Sequence, residues 1–247
     1  MKQLSHSINV AHVKILKLLK VLDMVRQIFF LILSMLIGWD QSAYAANKNG
    51  SNLTYFRMGG IDFAVPIPAG YCMPQGRDID IAQALAAADN VNLTHVTLMK
   101  CGETDLLNYY ILKTPRGAIL KDLQLESFLN EIGVQFQSTA IQDFMKDGSL
   151  EKEVKKGLQT VLGGDLDLTT DIKPLGRDER CAYVGGTAEF TNVPDPYKIS
   201  MGGCITIISN RIISVYSYGS RIDAQGVVEQ LKKAKELSVR MTGEPAM

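Results

Sequence analysis

Residues Asp178–Gly219, DERCAYVGGTAEFTNVPDPYKISMGGCITIISNRIISVYSYG, constrain this chain most. Ile, Val, Tyr, Thr and Phe, which suit a pleated and half-buried surface, dominate three consecutive runs over roughly 180–190, 198–208 and 211–218. Asn192, Pro194, Asp195 and Pro196 separate the first two runs with turn-forming residues. Ser209-Asn210 separates the last two, a two-residue hairpin signal. An antiparallel meander of this kind leaves an apolar face that another layer must cover.

The flanking segments can supply that layer. Leu53–Met58 and Ile61–Ile67 read as a hairpin around Gly59-Gly60, where both loop positions favour positive φ. Pro66 and Pro68 lack the N–H a ladder needs, so this strand lies at an edge or leaves the sheet there. Asp78–Asn90 reads as a helix capped by Asp78, with Ile81, Leu85 and Ala88 on one face and Asn90 ending it in the left-handed region. Asn92–Cys101 and Leu106–Thr114 read as strands. Leu125, Phe128, Leu129, Ile132 and Phe136 follow helical spacing, with Ile141, Phe144 and Met145 continuing it and Asp122 as the cap. A charged helix over Leu150–Leu162 follows, then a strand over Leu166–Leu175. Asp223 caps a last helix to about Val239, with Val227, Val228, Leu231, Ala234 and Leu237 towards the core.

The first 45 residues stand apart. Ile28–Gly38 is a short uncharged apolar run after Arg26, followed by Ala43-Tyr44-Ala45, and these three parts together form a secretory signal peptide over residues 24–45. The run falls far below the ~20 apolar residues of a spanning helix. Met24 is read as the initiator and residues 1–23 as an over-called extension. The other reading of 1–23 is a long basic n-region whose Val13–Leu22 lies on a membrane. Residues 46–52 are a polar linker, 53–240 one α+β domain and 241–247 a tail. Cleavage after Ala45 removes Lys2, Lys14, Lys17, Lys20 and Arg26 but only Asp23 and Asp40 from a chain of zero formal charge. The mature part is then mildly acidic, which argues against nucleic acid and anionic membranes as partners. Membrane contact is expected only through the signal peptide before cleavage.

All four cysteines, Cys72, Cys101, Cys181 and Cys204, lie in the mature part. An even number in an exported chain favours disulfides, read here as Cys72–Cys101 and Cys181–Cys204. The second pairing holds if the loop between the first two meander strands centres on Asn192-Val193. No C-x-x-C is present, and zinc ligation by four scattered cysteines is the minor reading.

The order of elements, mainly antiparallel strands with helices packed on them, is an α+β pattern. Two stretches carry a further resemblance. Gly60-Ile61-Asp62-Phe63 through Val65-Pro66-Ile67-Pro68-Ala69-Gly70-Tyr71 is similar to the opening apolar strand and Pro-x-Gly-aromatic exit of the PsbP-like fold. Ile205–Val239, a hairpin leading into an amphipathic helix, is similar to its C-terminal end. The resemblance covers about a third of the domain and implies an α-β-α sandwich. The family's best-known members are extrinsic subunits of the oxygen-evolving photosystem, and a nuclear-import factor that binds the GTPase Ran shares the fold. The cysteines depart from the family pattern, and no family metal ligand carries over, so the resemblance bears on fold alone.

Chemistry-bearing motifs are sparse. The mature part has one histidine, His95, placed by alternation with Leu93, Thr97 and Met99 and read as a hydrogen-bonded residue in or beside the core rather than a catalytic base. The glycine pairs 59-60, 163-164, 185-186 and 202-203 lack phosphate-loop spacing and read as turns, helix ends and close packing. Asp165, Asp167 and Asp171 lack the Gly and terminal Glu of a calcium loop and read as a solvated edge. Tyr109, Tyr110, Tyr183, Tyr216 and Tyr218 form a candidate binding surface, or else pack in the core. Asn52-Leu53-Thr54 and Asn92-Leu93-Thr94 are formal glycosylation sequons. No catalytic residue, metal or cofactor is assigned. The expectation is an exported accessory or binding protein of the bacterial envelope, its partner an unknown protein or small ligand. The alternatives are a periplasmic hydrolase or metal-assisted enzyme using His95 or acidic residues, and an envelope assembly or stress factor that binds by sheet-edge addition.

Overall fold

A computed structural model describes residues 52–246, apart from 88, 104–106, 140, 142, 144–147, 149–151, 153–154, 157–158, 160–166 and 194. The segment read as a signal peptide, Phe144, Met145, Gly163-Gly164, Asp165 and most of the segment expected as a helix over 150–162 therefore lie outside the described residues.

The meander is the centre of an eight-stranded antiparallel sheet. Its strands are β8 (Ala182–Thr191), β9 (Tyr197–Ile208) and β10 (Arg211–Gly219). Around them stand β3 (Tyr71–Cys72), β4 (Asn92–Lys100), β5 (Tyr109–Pro115) and β6 (Asp167–Thr170), in the order β3-β4-β5-β10-β9-β8-β6. The strand β7 (Lys173–Arg177) also pairs with β8. The single strand expected over 166–175 is thus two, and both use the same edge of β8. The β9–β10 turn has positive φ at Ser209 and Asn210, as a tight two-residue hairpin requires.

The first hairpin leaves this sheet. β1 (Leu53–Met58) and β2 (Ile61–Pro66), joined through positive-φ Gly59 and Gly60, form a separate three-stranded sheet with β11 (Thr242–Pro245). Pro66 ends β2, in keeping with its missing donor. β11 falls in the segment read as a tail; it is a strand, paired along β2 from Ala64 to Ile61.

Three helices cover the eight-stranded sheet among the described residues. α1 (Arg77–Ala87) starts one residue before Asp78, so Asp78 lies in its first turn instead of capping it. Asn90 has no positive φ; the chain after α1 is turned by Asp89, whose Oδ1 accepts from Val91 N and Asn92 N. α2 (Leu125–Phe136) is preceded by Gln124 with no side-chain cap, not by Asp122. α3 (Ala224–Arg240) is capped as expected, with Asp223 Oδ1 accepting from Gly226 N at 2.8 Å. Ala234 and Leu237 are buried under it, whereas Val228 is exposed.

The two sheet faces bury separate cores. One holds Tyr109, Ile111, Ile205, Tyr216 and Tyr218 with Phe128, Leu129, Ile132 and Phe136 of α2, and Ile81 and Leu85 of α1 pack against it. The other holds Val96, Leu98, Tyr110, Leu112 and Val215 with Ala234 and Leu237 of α3 and Phe63 and Val65 of β2. The architecture is the expected α+β one, with the sheet as the middle layer. α3 approaches the sheet over glycines: Gly185 of β8 stands opposite Gly202 of β9, and Ser217 of β10 completes the row. Ser217 Oγ and Gln230 Oε1 of α3 are 2.7 Å apart in the buried interface, the hydroxyl donating.

Candidate functional site

His95 sits at an irregularity. The pairing of β4 with β5 shifts register between Thr94 and Val96, a bulge that breaks the strand's alternation. The imidazole stacks on Phe56 of β1, with ring centroids 4.3 Å apart. Phe56 packs against the α3-side core, the core of Val96 and Leu98, while Met99 belongs to the opposite one. The extra residue of the bulge is why the face read from simple alternation is corrected. The expected hydrogen bond is also corrected: Nε2 is buried without a partner. Burial, with a smaller contribution from Arg116, pushes the imidazole down to about 3. A neutral ring pressed on a phenyl ring is a packing element.

The site that sequence reading missed is a buried ion pair. Asp89 and Lys113 are 0% and 1% exposed, with Oδ2 and Nζ 2.9 Å apart. Asp89 also accepts from Asn92 Nδ2 at 3.0 Å and from the two backbone N–H groups after α1. Thr94 and Ser214 flank Lys113 in register on either side. Burial lowers the Lys113 ammonium and outweighs the support from Asp89. The signal was legible: in Tyr109–Thr114, alternation puts Lys113 on the same inward face as Tyr109 and Ile111. The pair fastens the end of α1 to the third strand of the sheet. Both charges are sealed from solvent, and the pair locks α1 to β5.

The tyrosines do not line one groove. Tyr109, Tyr216 and Tyr218 face the α1/α2 core, and Tyr109 stacks on Tyr218 with centroids 4.2 Å apart. Tyr110 and Tyr183 are on the α3 side, where Tyr110 meets the edge of Tyr71. Successive residues of one strand point to opposite faces and directly paired residues share a face; Tyr109 pairs with Tyr218 but Tyr110 with Ser217, which separates the group. Burial raises the phenols of Tyr109 and Tyr218 well above their ordinary value.

Tyr183 instead joins a polar cluster at the start of β8. Its hydroxyl donates to Asp178 Oδ2 at 2.7 Å, and Lys235 of α3 reaches the same oxygen at 2.6 Å. Arg180 N and Cys181 N donate to Oδ1, each at 2.8 Å. Burial alone would raise the Asp178 carboxyl; the hydrogen bonds, led by Lys235 and Tyr183, reverse this and hold it well below the usual range. The Tyr183 phenol is pushed up to about 12, first by burial and then by Asp178.

Both cysteine pairs are joined: Cys72–Cys101 and Cys181–Cys204, with Cα atoms 5.3 and 5.2 Å apart. The second forms in a register that differs from the one assumed. Ala182 pairs with Ile205 and Tyr183 with Cys204, so Cys181 lies diagonal to Cys204 rather than opposite. Cys181 stands just outside β8, in the turn held by Asp178, and this lets the bridge close. Two disulfides and no free thiol fit an oxidising compartment.

The acidic loop is solvated at its described positions: Asp167 pairs with Lys155 and Asp171 with Lys173, and both carboxylates are exposed. Among the described residues no group of three or more His, Cys, Asp or Glu could hold a metal ion. Of the sequons, Asn52 is exposed and Asn92 is buried against Asp89.

No family model matches the chain, and no curated protein matches it in sequence. Among solved structures, the chain is similar to the solution structure of cyanobacterial PsbP (CyanoP) from Synechocystis sp. PCC 6803. The match has 13% identity and a TM-score of 0.32, and covers 81% of this chain and 97% of that one.

Proposed function

We propose that this protein is an exported accessory protein of the bacterial envelope that works by binding a protein or small ligand, without catalysis. The observation that carries this reading is how its ionisable groups are spent. His95 is stacked on Phe56, Asp89 is closed around Lys113 and Asn92, and Asp178 is saturated by Lys235, Tyr183 and two backbone N–H groups. Each holds one element to another, and a group tied up in this way is a poor general base or nucleophile. The two disulfides and the apolar run Ile28–Gly38, followed by Ala43-Tyr44-Ala45, support export, with Ala46 as the mature N-terminus.

Complementation of a deletion strain tests this. His95→Ala, Asp171→Ala and Glu189→Ala should complement fully. Loss of function in any one of them, with thermal stability and partner binding intact, would replace the binding reading with an enzymatic one. N-terminal sequencing of the periplasmic fraction should begin at Ala46; retention of residues 28–45 would refute the soluble, exported form.

A second reading, partner binding by strand addition, is favoured by one feature. β1 is an outer strand of the three-stranded sheet, and Tyr55 on it is 50% exposed.

A further inference from the structure

The two disulfides lie in opposite surroundings. Cys181 and Cys204 are both fully buried, and the Ser238 hydroxyl of α3 lies 3.9 and 3.3 Å from their sulfurs. Cys101 is exposed, on the turn that leaves β4, and Cys72 is half-buried. Cys72 ends β3, a strand of two residues at the rim of the sheet that pairs only through Tyr71–Lys100 and Cys72–Met99. Beyond the ladder, the Cys101 N–H donates to Gly70 O at 2.8 Å, and the Tyr71 ring meets Tyr110 edge-on. The bridge is therefore the main covalent hold on a weakly paired rim strand.

From this contrast we propose that Cys72–Cys101 is a thiol-exchange site, a clasp opened by a dithiol reductant, while Cys181–Cys204 is permanently structural. Exchange needs a thiolate to reach one sulfur in line with the bond. Cys101 is exposed on its turn, which opens this approach from solvent. The incoming thiolate bonds to Cys101 and the Cys72 sulfur departs as a thiolate, taking up a proton from solvent. The reductant's second thiol, as thiolate, then attacks its own sulfur in the mixed disulfide and releases Cys101. Two cysteines are reduced to thiols and the dithiol is oxidised to its disulfide, so the two electrons balance. Attack on Cys181–Cys204 requires α3 to lift first, which couples its reduction to local or global unfolding. Opening the clasp releases β3, bares the end of β4 and frees the Tyr71 ring at the margin of the α3-side core, leaving the central strands paired.

The test uses the full oxidised mature chain under native conditions. It is treated with dithiothreitol, quenched in acid at intervals, alkylated and mapped by peptide mass spectrometry. Cys72 and Cys101 should become alkylated about tenfold or more ahead of Cys181 and Cys204. Far-ultraviolet dichroism should be unchanged at that point, and amide exchange should rise at Tyr71, Cys72 and Cys101 but not in β9 or β10. In a parallel arm, brief exposure to glutathione should give a mixed disulfide on Cys101. Alkylation of all four cysteines together, or of Cys181 and Cys204 first, would overturn the assignment. An adduct on Cys72 in place of Cys101 would overturn the direction of attack.

Discussion

Gly202→Ala should be among the most damaging single-methyl additions in this protein. Gly202 lies beneath α3, in the row Gly185–Gly202–Ser217. A Cβ built on it falls 2.7 Å from Leu231 Cα and closer still to Leu231 N and Gln230 C. These are backbone atoms of a hydrogen-bonded helix, so no rotamer change relieves the overlap. α3 must withdraw by about 1 Å to restore van der Waals spacing, and a gap of that size forfeits a quarter to a half of each contact's attraction along the interface. Overpacking of this kind costs about 1–3 kcal/mol. Strain on the buried Ser217–Gln230 hydrogen bond adds about 1 kcal/mol more. The expected total is about 3 kcal/mol, and with a urea m-value of about 2 kcal/mol/M the midpoint should fall by about 1.5 M. The comparison is Gly102→Ala: Gly102 has φ +77° and open space around it, so its cost is only the left-handed strain of about 1–2 kcal/mol. Equilibrium urea unfolding with both disulfides oxidised decides. A midpoint shift for Gly202→Ala below about 0.5 M, or smaller than that of Gly102→Ala, would refute close helix–sheet packing as the reason for the glycine.

His95 gives a pH signature: its folded value of about 3 lies below 6.5, so the unfolded chain takes up the proton first as pH falls. Stability is then lost as pH drops from about 6.5 towards 3, by up to about 1.4 kcal/mol per pH unit from this group. His95→Phe keeps the stack on Phe56 and should flatten the slope between pH 6 and 4; an unchanged slope in urea titrations contradicts the assignment. For the buried pair, Asp89→Ala should cost about 3–5 kcal/mol by removing the carboxylate beside the buried Lys113 ammonium, whereas Asp89→Leu with Lys113→Met should recover in thermal melts the part due to that charge but not the part due to the hydrogen bonds from Val91 and Asn92. Asp178 is held below its ordinary value, so its contribution is present above about pH 4 and lost as pH falls further. Asp178→Asn should therefore weaken the protein at pH 7, and the difference from wild type should shrink steadily as pH falls from about 4 to 2; parallel curves would show that the carboxylate is not the source.

How much of this was legible in the sequence follows from the range of each signal. The meander, the Gly59-Gly60 hairpin and the Asp223 cap are set by neighbours a few residues apart, and they form as their residues imply. β11 is not local in this sense: Thr242–Pro245 has no strand-like composition and exists because β2 offers it an edge. The face of His95 depends on one bulge residue, and a bulge is set by the partner strand as much as by the strand itself. The same holds for the tyrosines, whose split follows only once the registers of β5, β8 and β10 are fixed. The Asp89–Lys113 pair joins residues 24 apart, yet a lysine on the inward face of an apolar strand was a readable demand for a carboxylate. Nothing local singled out Asp89 as the partner.

Where a partner would meet this fold follows from its layers. The central strands are covered on one face by α1 and α2 and on the other by α3 with the β1–β2–β11 sheet. Their polar side chains are used in fixing those layers: Lys113 for α1, Ser217 for α3, Tyr183 with Asp178 for the C-terminal half of α3. A ligand entering either core would have to displace one of these connections together with the apolar contacts around it, at a cost of several kcal/mol. Recognition is cheaper at the rim, where ladder groups and side chains already face water. Two rim features stand out among the described residues: the outer edge of β1 with Tyr55, and β3 with its exposed disulfide. They differ in what each responds to. Strand addition at β1 needs only an extended peptide, and replacing Tyr55 by proline removes an N–H at the edge, so it should abolish such binding in any redox state. A site governed by the clasp should instead appear or vanish on selective reduction of Cys72–Cys101, and should be insensitive to Tyr55→Pro.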